Sequence, residues 1–301
     1  TLARSDPYYA MLSSARALGL DGLHQIATGR NVRIAQVDTG VDLSHPDLLG
    51  ALTTERNFVD GSSYAAEVHG TAVAGVMVAR ADNGLGIVGV APDATLLPLR
   101  ACWPDQADSD TALCSSFTLA KAIQFAVDQR VRVLNLSLGG PRDRLLERLI
   151  DRATDAGMTV VGAVDAAAPG RSFPSAHPRV IAIVAADEPR LALYVELPRG
   201  AILAPGRDVL TTVPQGRWRF FSGASFAAAH ATGVVALLLE KKPDLNGEAV
   251  RALLAQPDPR GEPTAGLRLD GAAALALLGA RRDCGAGTAR SAQSMDLRSD
   301  C

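Results

Sequence analysis

Five apolar runs of strand length recur along the chain: VRIAQV at 32–37, TLLPL at 95–99, VRVLNLSL at 131–138, MTVVGAV at 158–164 and VIAIVAA at 180–186. Near-continuous apolar runs this short predict strands covered on both faces. Helix-like segments lie between or after them at 69–80, 116–129, 142–156 and 225–240. Alternation of this kind predicts an α/β fold with a mostly parallel, doubly wound sheet. Two further helical signals, GEAVRALLA at 247–255 and DGAAALALL at 270–278, precede a tail rich in Arg, Gly and Ser. The expected organisation is one large domain over 1–280 and a C-terminal extension over 281–301. At 301 residues and 48% hydrophobic, the chain can bury a core of that size, and no internal repeat divides it.

Charge excludes some partners. With 30 basic against 32 acidic residues the formal charge is -2, so no basic footprint points to nucleic acid or to an anionic membrane. No apolar run approaches the ~20 residues of a membrane span. The first residues lack the charged and apolar regions of a signal peptide, so any leader or pro-segment is expected to have been removed or to lie outside this sequence. Four cysteines form two local pairs, Cys102 with Cys114 and Cys284 with Cys301, each bounding a short polar stretch. Two disulfides are the simplest arrangement and imply a secreted or periplasmic setting; a zinc site is the rival, though neither pair has CxxC spacing. If Cys284 and Cys301 are not joined, the composition of the tail predicts disorder.

Three segments carry chemistry. In VRIAQVDTGVDLSHPDL an apolar strand ends in Asp38, at the edge where open α/β sheets bind ligands. In HGTAVAGVMVA, His69 opens a run of small and β-branched residues. In FFSGASFAAAHATGVVALLLE, Ser225 starts a long apolar helix whose first N–H groups favour negative charge. Taken singly, these are a turn aspartate, a structural histidine and a helix cap. Together they supply a hydroxyl, an imidazole to take its proton and a carboxylate to hold that imidazole, which is what an activated serine nucleophile needs.

VDTGVDLSHPDL, HGTAVAG, GLGIVGVAP, NLSLGG, LAPG and SGASFAAAH, in this order over roughly residues 7–278, resemble the motifs of subtilases, the S8 serine peptidases. The resemblance implies a subtilisin-like three-layer fold and a serine endopeptidase working through an acyl-enzyme, with Asp38, His69 and Ser225 as triad. The order Asp, His, Ser is the one already described for subtilisin. It further implies that Leu138, Gly139, Gly140, Ala163 and Val164 form the primary pocket. Residues from Ala112 to Cys114 should offer an edge strand to extended protein or peptide substrates. Val164 is expected to narrow that pocket toward slender side chains. No cofactor is required for the chemistry; Asp47 matches a family ligand to a structural calcium ion, and Asn83 lies in the loop that often supplies others.

The sequence departs from the family where the oxyanion is stabilised. Val164-Asp165 stands where the family has Gly-Asn, so Asp165 takes the oxyanion position beside the Ser225 N–H, and Ala224 and Ala229 replace threonine and proline. An ionised carboxylate there repels the developing charge, whereas a neutral one can donate to it. Two readings follow: a peptidase whose activity requires protonated Asp165, and a weakly active or inactive subtilase-fold protein that binds peptides or a protein partner. An esterase of the nucleophile-elbow type is disfavoured, because the acid precedes the histidine.

Overall fold

All five apolar runs form strands of one sheet in a computed structural model that describes residues 4–106, 109, 111–164, 172–186, 197–198, 200–257 and 267–286; the side chains of 256, 257 and 280–286 are not included. The strands are β1 (Arg33–Asp38), β2 (Arg56–Asn57), β3 (Thr95–Arg100), β4 (Cys102–Pro104), β5 (Ala112–Cys114), β6 (Val133–Leu136), β7 (Thr159–Ala163), β8 (Ile181–Ala185), β9 (Ile202–Ala204), β10 (Val209–Val213), β11 (Arg217–Phe221), β12 (Ala255–Pro257) and β13 (Leu267–Leu269). The helices are α1 (Ser13–Leu18), α2 (Leu20–Ile26), α3 (Val68–Val78), α4 (Ser116–Asp128), α5 (Arg144–Asp155), α6 (Ala224–Lys241), α7 (Gly247–Leu254) and α8 (Gly271–Ala286).

Among the described residues the main sheet runs β12-β13-β9-β8-β7-β6-β1-β3-β2. Every pairing in it is parallel except β12 with β13. Two hairpins, β4–β5 and β10–β11, stand apart from it as two-stranded sheets. The chain leaves β1 for β3 on one side and returns through α4 to β6 on the other. That reversal opens a crevice at the carboxyl ends of β1 and β6, where α/β sheets bind ligands.

Strand residues divide between two cores, which explains why the runs read as continuously apolar. Ile34, Val133, Val161 and Ile183 pack into a core with α3 and α6, while Ala35, Val37, Leu134, Leu136 and Val160 pack with α4 and α5. The result is three layers, helices over both faces of the sheet. Helix α5 shows its single buried face at Leu146, Ile150 and Ala153, and Asp143 caps it by accepting from the N–H groups of Leu145 and Leu146. Helix α6 is buried without interruption from Phe226 to Leu239, as its apolar sequence requires of a central helix. Full burial of a leucine or isoleucine side chain contributes about 1.5–3 kcal/mol, so this helix is among the main stabilising elements. Helix α8 runs to Ala286, past the end of the predicted signal at 278. Cys301 lies outside the described residues, as does the side chain of Cys284, so the Cys284–Cys301 pairing does too. No helix among the described residues is long and apolar enough to cross a membrane.

Candidate active site

β1 ends at Asp38, and the chain must turn there without losing contact with α3, which carries His69. Three bonds hold the two together: Glu67 N–H donates to the Gly40 carbonyl at 3.0 Å, Gly40 N–H to Glu67 Oε2 at 2.5 Å, and Gly70 N–H to Thr39 Oγ1 at 2.8 Å. Gly70 is required at this approach, because a Cβ on it would lie 2.3 Å from the Thr39 carbonyl oxygen. Glu67 is itself fixed by Arg100, at the end of β3, in a bidentate pair with Nη2–Oε1 at 2.6 Å and Nε–Oε2 at 3.0 Å. Arg100 is 4% exposed, so both charges depend on each other.

His69 Nδ1 consequently sits 2.7 Å from Asp38 Oδ1, with Asp38 3% exposed. The same oxygen accepts the Thr39 N–H at 2.6 Å, which fixes the carboxylate plane. An ionised Asp38 holds the imidazole proton on Nδ1 and leaves Nε2 as the base. Phe226 stands against the imidazole, ring centroids 6.1 Å apart, and is stacked in turn on Phe221 at 5.3 Å. Apolar walls of this kind limit water access to the ring.

Ser225 comes one residue after the start of α6, whose N-cap Gly223 is anchored by donation to the Gly206 carbonyl at 2.7 Å. Its hydroxyl donates to the Ser137 carbonyl at 3.1 Å, and Ser137 Oγ donates to the Ser225 carbonyl at 3.0 Å. Two turns further along α6, Asn135 Nδ2 donates to Thr232 Oγ1 at 2.9 Å, tying α6 to β6 a second time. The nucleophile helix is thus held across the sheet's reversal from β1.

Asp38, His69 and Ser225 line one cavity of about 530 Å³. Of the residues expected to bind substrate, Leu138, Gly139, Gly140 and Cys114 line it. Ala163 and Val164 are not among its described lining: both are buried at the end of β7, with Val164 packed against Ala182, Val184 and Leu203. The expectation that Val164 narrows the cavity therefore finds no contact here, because its side chain belongs to the core. Sequence reasoning missed Phe173, which lines the cavity and exchanges two backbone hydrogen bonds with Gly140, at 2.8 and 3.0 Å. It also missed Leu119 and Leu146, which with Leu113 of the expected edge strand make the cavity walls apolar. Only the strand-then-helix pattern around them hinted at their position. Asp165 lies outside the described residues.

Cys102 and Cys114 are joined in a disulfide across β4 and β5. They are therefore not a zinc pair. Among the described residues no group of three or more His, Cys, Asp or Glu could hold a metal ion.

Asp47 and Asn83, the two residues expected to hold calcium, meet through a hydrogen bond. Asp47 Oδ1 accepts from Asn83 Nδ2 at 2.9 Å, and Oδ2 accepts from Ile87 N–H at 2.9 Å and Trp218 Nε1 at 2.8 Å. The Asn83 amide faces this way because its own Oδ1 accepts the Leu85 N–H at 2.8 Å. Three donors thus satisfy the carboxylate within the protein, one on Oδ1 and two on Oδ2. A Cβ on Gly86, whose φ is +33°, would lie 2.1 Å from Trp218 Nε1 and 2.2 Å from Asp47 Oδ2. Burial raises the Asp47 pKa despite the three hydrogen bonds. His45, buried beside it, accepts the Asp47 N–H on Nδ1, which leaves Nε2–H to donate to the Arg217 carbonyl.

Residues 29–287 match the model of the subtilase family. The chain is 32% identical over 263 residues to Subtilisin E of Bacillus subtilis (strain 168), covering 83% of this chain and 65% of that relative. It is also 32% identical over 225 residues to the major intracellular serine protease of the same strain, covering 70% of this chain and 69% of that one. The chain therefore spans 65% of the length of the first of these relatives. In structure it is similar to fervidolysin from Fervidobacterium pennivorans, a keratinolytic enzyme related to subtilisin, with a TM-score of 0.77 and 27% identity, over 90% of this chain and 46% of that one. A protease from Pseudoalteromonas arctica shares the fold at TM-score 0.75 and 22% identity, over 91% of this chain and 99% of that one.

Proposed function

Because the chain belongs to the subtilase family, we propose that it is a serine endopeptidase that cleaves peptide bonds through an acyl-enzyme on Ser225. The observation that carries this reading is the 2.7 Å Asp38–His69 pair lining one cavity with the Ser225 hydroxyl. In the first step Ser225 Oγ attacks the scissile carbonyl and its proton passes to His69 Nε2, while Asp38 Oδ1 stabilises the imidazolium through Nδ1–H. His69 then protonates the leaving amine. A water molecule attacks the resulting ester by the same route, releasing the acid and restoring Ser225.

The substrate is an extended segment of protein or peptide, lying between the exposed edge β5 and the Leu138–Gly140 segment. Backbone hydrogen bonds to such an edge supply affinity regardless of sequence, and apolar walls at Leu119, Leu146 and Phe173 favour apolar side chains. The N–H of Ser225 and the side chain of Asp165 serve the oxyanion. Asp165 donates only when protonated, so turnover requires a neutral Asp165 together with a neutral His69, a narrow pH window. A cystine between Cys102 and Cys114 suits an oxidising compartment and supports a secreted or periplasmic location. The tail is read as an extension joined through Cys284 and Cys301, and a pro-segment as removed beforehand.

A fluorophosphonate probe tests the central claim. Labelling of Ser225 that disappears in Ser225→Ala, together with release of peptides from casein, is the expected result. The replacement of the family's Asn by Asp165, with Ala224 beside the nucleophile, favours a second reading as a peptide-binding protein. Absence of labelling from pH 4 to 9, with a labelled peptide still bound, would select it.

A further inference from the structure

We propose that the Cys102–Cys114 cystine positions the substrate-binding edge: it holds β5 in register with the triad, and its reduction weakens binding of extended peptides while leaving the triad intact. The inference rests on the peptidase reading above. It starts from how few bonds hold this hairpin among the described residues. β4 and β5 pair over three residues, with Cys102 directly opposite Cys114, and they form a sheet of their own. A two-stranded hairpin is marginally stable in water. Its turn closes on local bonds, Thr111 Oγ1 to Asp105 Oδ1 at 2.8 Å and Asp105 N–H to the Thr111 carbonyl at 3.4 Å.

The two half-cystines have different surroundings. Cys102 is 2% exposed in the core shared with Leu99 and Leu119, and the preceding Ala101 donates its N–H to the Asp38 carbonyl at 2.9 Å. Cys102 is thus continuous with the strand end that carries the triad aspartate. Cys114 is exposed, as are Ala112 and Leu113, and it directly precedes Ser115, whose side chain caps α4. Both cysteines line the cavity that holds Asp38, His69 and Ser225. The disulfide therefore ties an exposed edge to a buried segment that is hydrogen-bonded to the backbone of Asp38. With it cut, β5 has to be ordered by the incoming peptide, and fixing even one residue's backbone weakens binding by roughly tenfold.

A small dithiol reductant opens the bond in two exchange steps. One thiolate attacks the cystine on the exposed Cys114 side, and the second closes the reductant into a cyclic disulfide. Two electrons and two protons pass to the protein, leaving Cys102 and Cys114 as thiols.

The test uses the full chain, oxidised or treated with dithiothreitol, beside the double variant C102A/C114S. Hexapeptide anilide and single-residue ester kinetics are measured, with near-UV circular dichroism recording the fold. Expected is a rise of about tenfold in KM for the hexapeptide, in the reduced chain and in the variant alike, while in the reduced chain kcat and ester hydrolysis stay within about twofold. A KM unchanged after thiol release is verified would overturn the proposal. So would loss of fluorophosphonate labelling or of the fold, since the bond would then serve general stability. Binding of a fluorescein-labelled hexapeptide to Ser225→Ala gives the same contrast without turnover. If the peptidase reading alone fails, that affinity still drops on reduction.

Discussion

Replacing Trp218 by phenylalanine tests whether hydrogen bonds, in place of a cation, satisfy the buried Asp47 carboxylate. Asp47 is 0% exposed, and the indole supplies one of its three donors, at 2.8 Å. Losing a hydrogen bond to a buried charged group costs about 1.5–3 kcal/mol. The smaller ring also weakens the edge contacts that Trp218 makes with Tyr8 and His45, at centroid separations of 5.4 and 5.3 Å, adding about 1 kcal/mol. For a chain of this size each kcal/mol moves Tm by about 2 °C, so the variant should melt roughly 5–8 °C lower. Calorimetry in a Ser225→Ala background prevents self-digestion, and is run once with EDTA and once with calcium. The fall should be equal in both, and neither reagent should move the parent. The pH dependence has a definite sign. A folded pKa above the unfolded value means that Asp47's contribution is full below the unfolded pKa and is lost as pH rises through the folded one. Removing a donor raises that pKa further, so the variant's deficit grows from acid to neutral pH. A Tm raised by calcium in the parent, or unchanged in the variant, would refute the reasoning.

Other outcomes follow from the same geometry. Asp38→Asn should lower kcat by about 10⁴-fold on a peptide anilide, since its oxygen then no longer fixes the His69 tautomer; a loss under tenfold would contradict the assigned role. Asp165→Asn should extend activity to higher pH, because an amide donates without needing a proton, and an unchanged pH–rate profile would remove Asp165 from the oxyanion site. Burial alone would raise the Asp42 pKa, but donation from Ser44 and from the Gln215 N–H holds it below the usual carboxylate range. Its stabilisation is therefore present above the unfolded pKa and lost as pH falls through the folded one. Urea denaturation of Asp42→Ala should show a deficit at pH 7 that shrinks toward pH 3.

Much of this architecture was legible before any coordinates. The runs at 32–37, 95–99, 158–164 and 180–186 each became a strand to within a residue or so at either end, because a strand covered on both faces has no way to hide its apolar composition. Asp38, His69 and Ser225 were legible for a different reason: each stands in a local pattern whose residues shape the turn or helix that presents it. Pairings between distant segments leave no such trace. Nothing in the neighbourhood of Phe173 announces its bridge to Gly140, and nothing near Glu67 announces Arg100.

Asp47 shows the division most clearly. From sequence alone it and Asn83 were oxygen donors at spacings suited to calcium, and that reading was chemically sound. Folding brings the indole of Trp218, 171 residues away, against the carboxylate, while the Leu85 N–H turns the Asn83 amide to donate. The sequence alone thus determined the layered sheet, the order of the triad and the acid at position 165, since these depend on local pattern and residue identity. Only the tertiary structure decided what surrounds each charge, because a carboxylate's chemistry is set by the donors that long-range packing delivers to it.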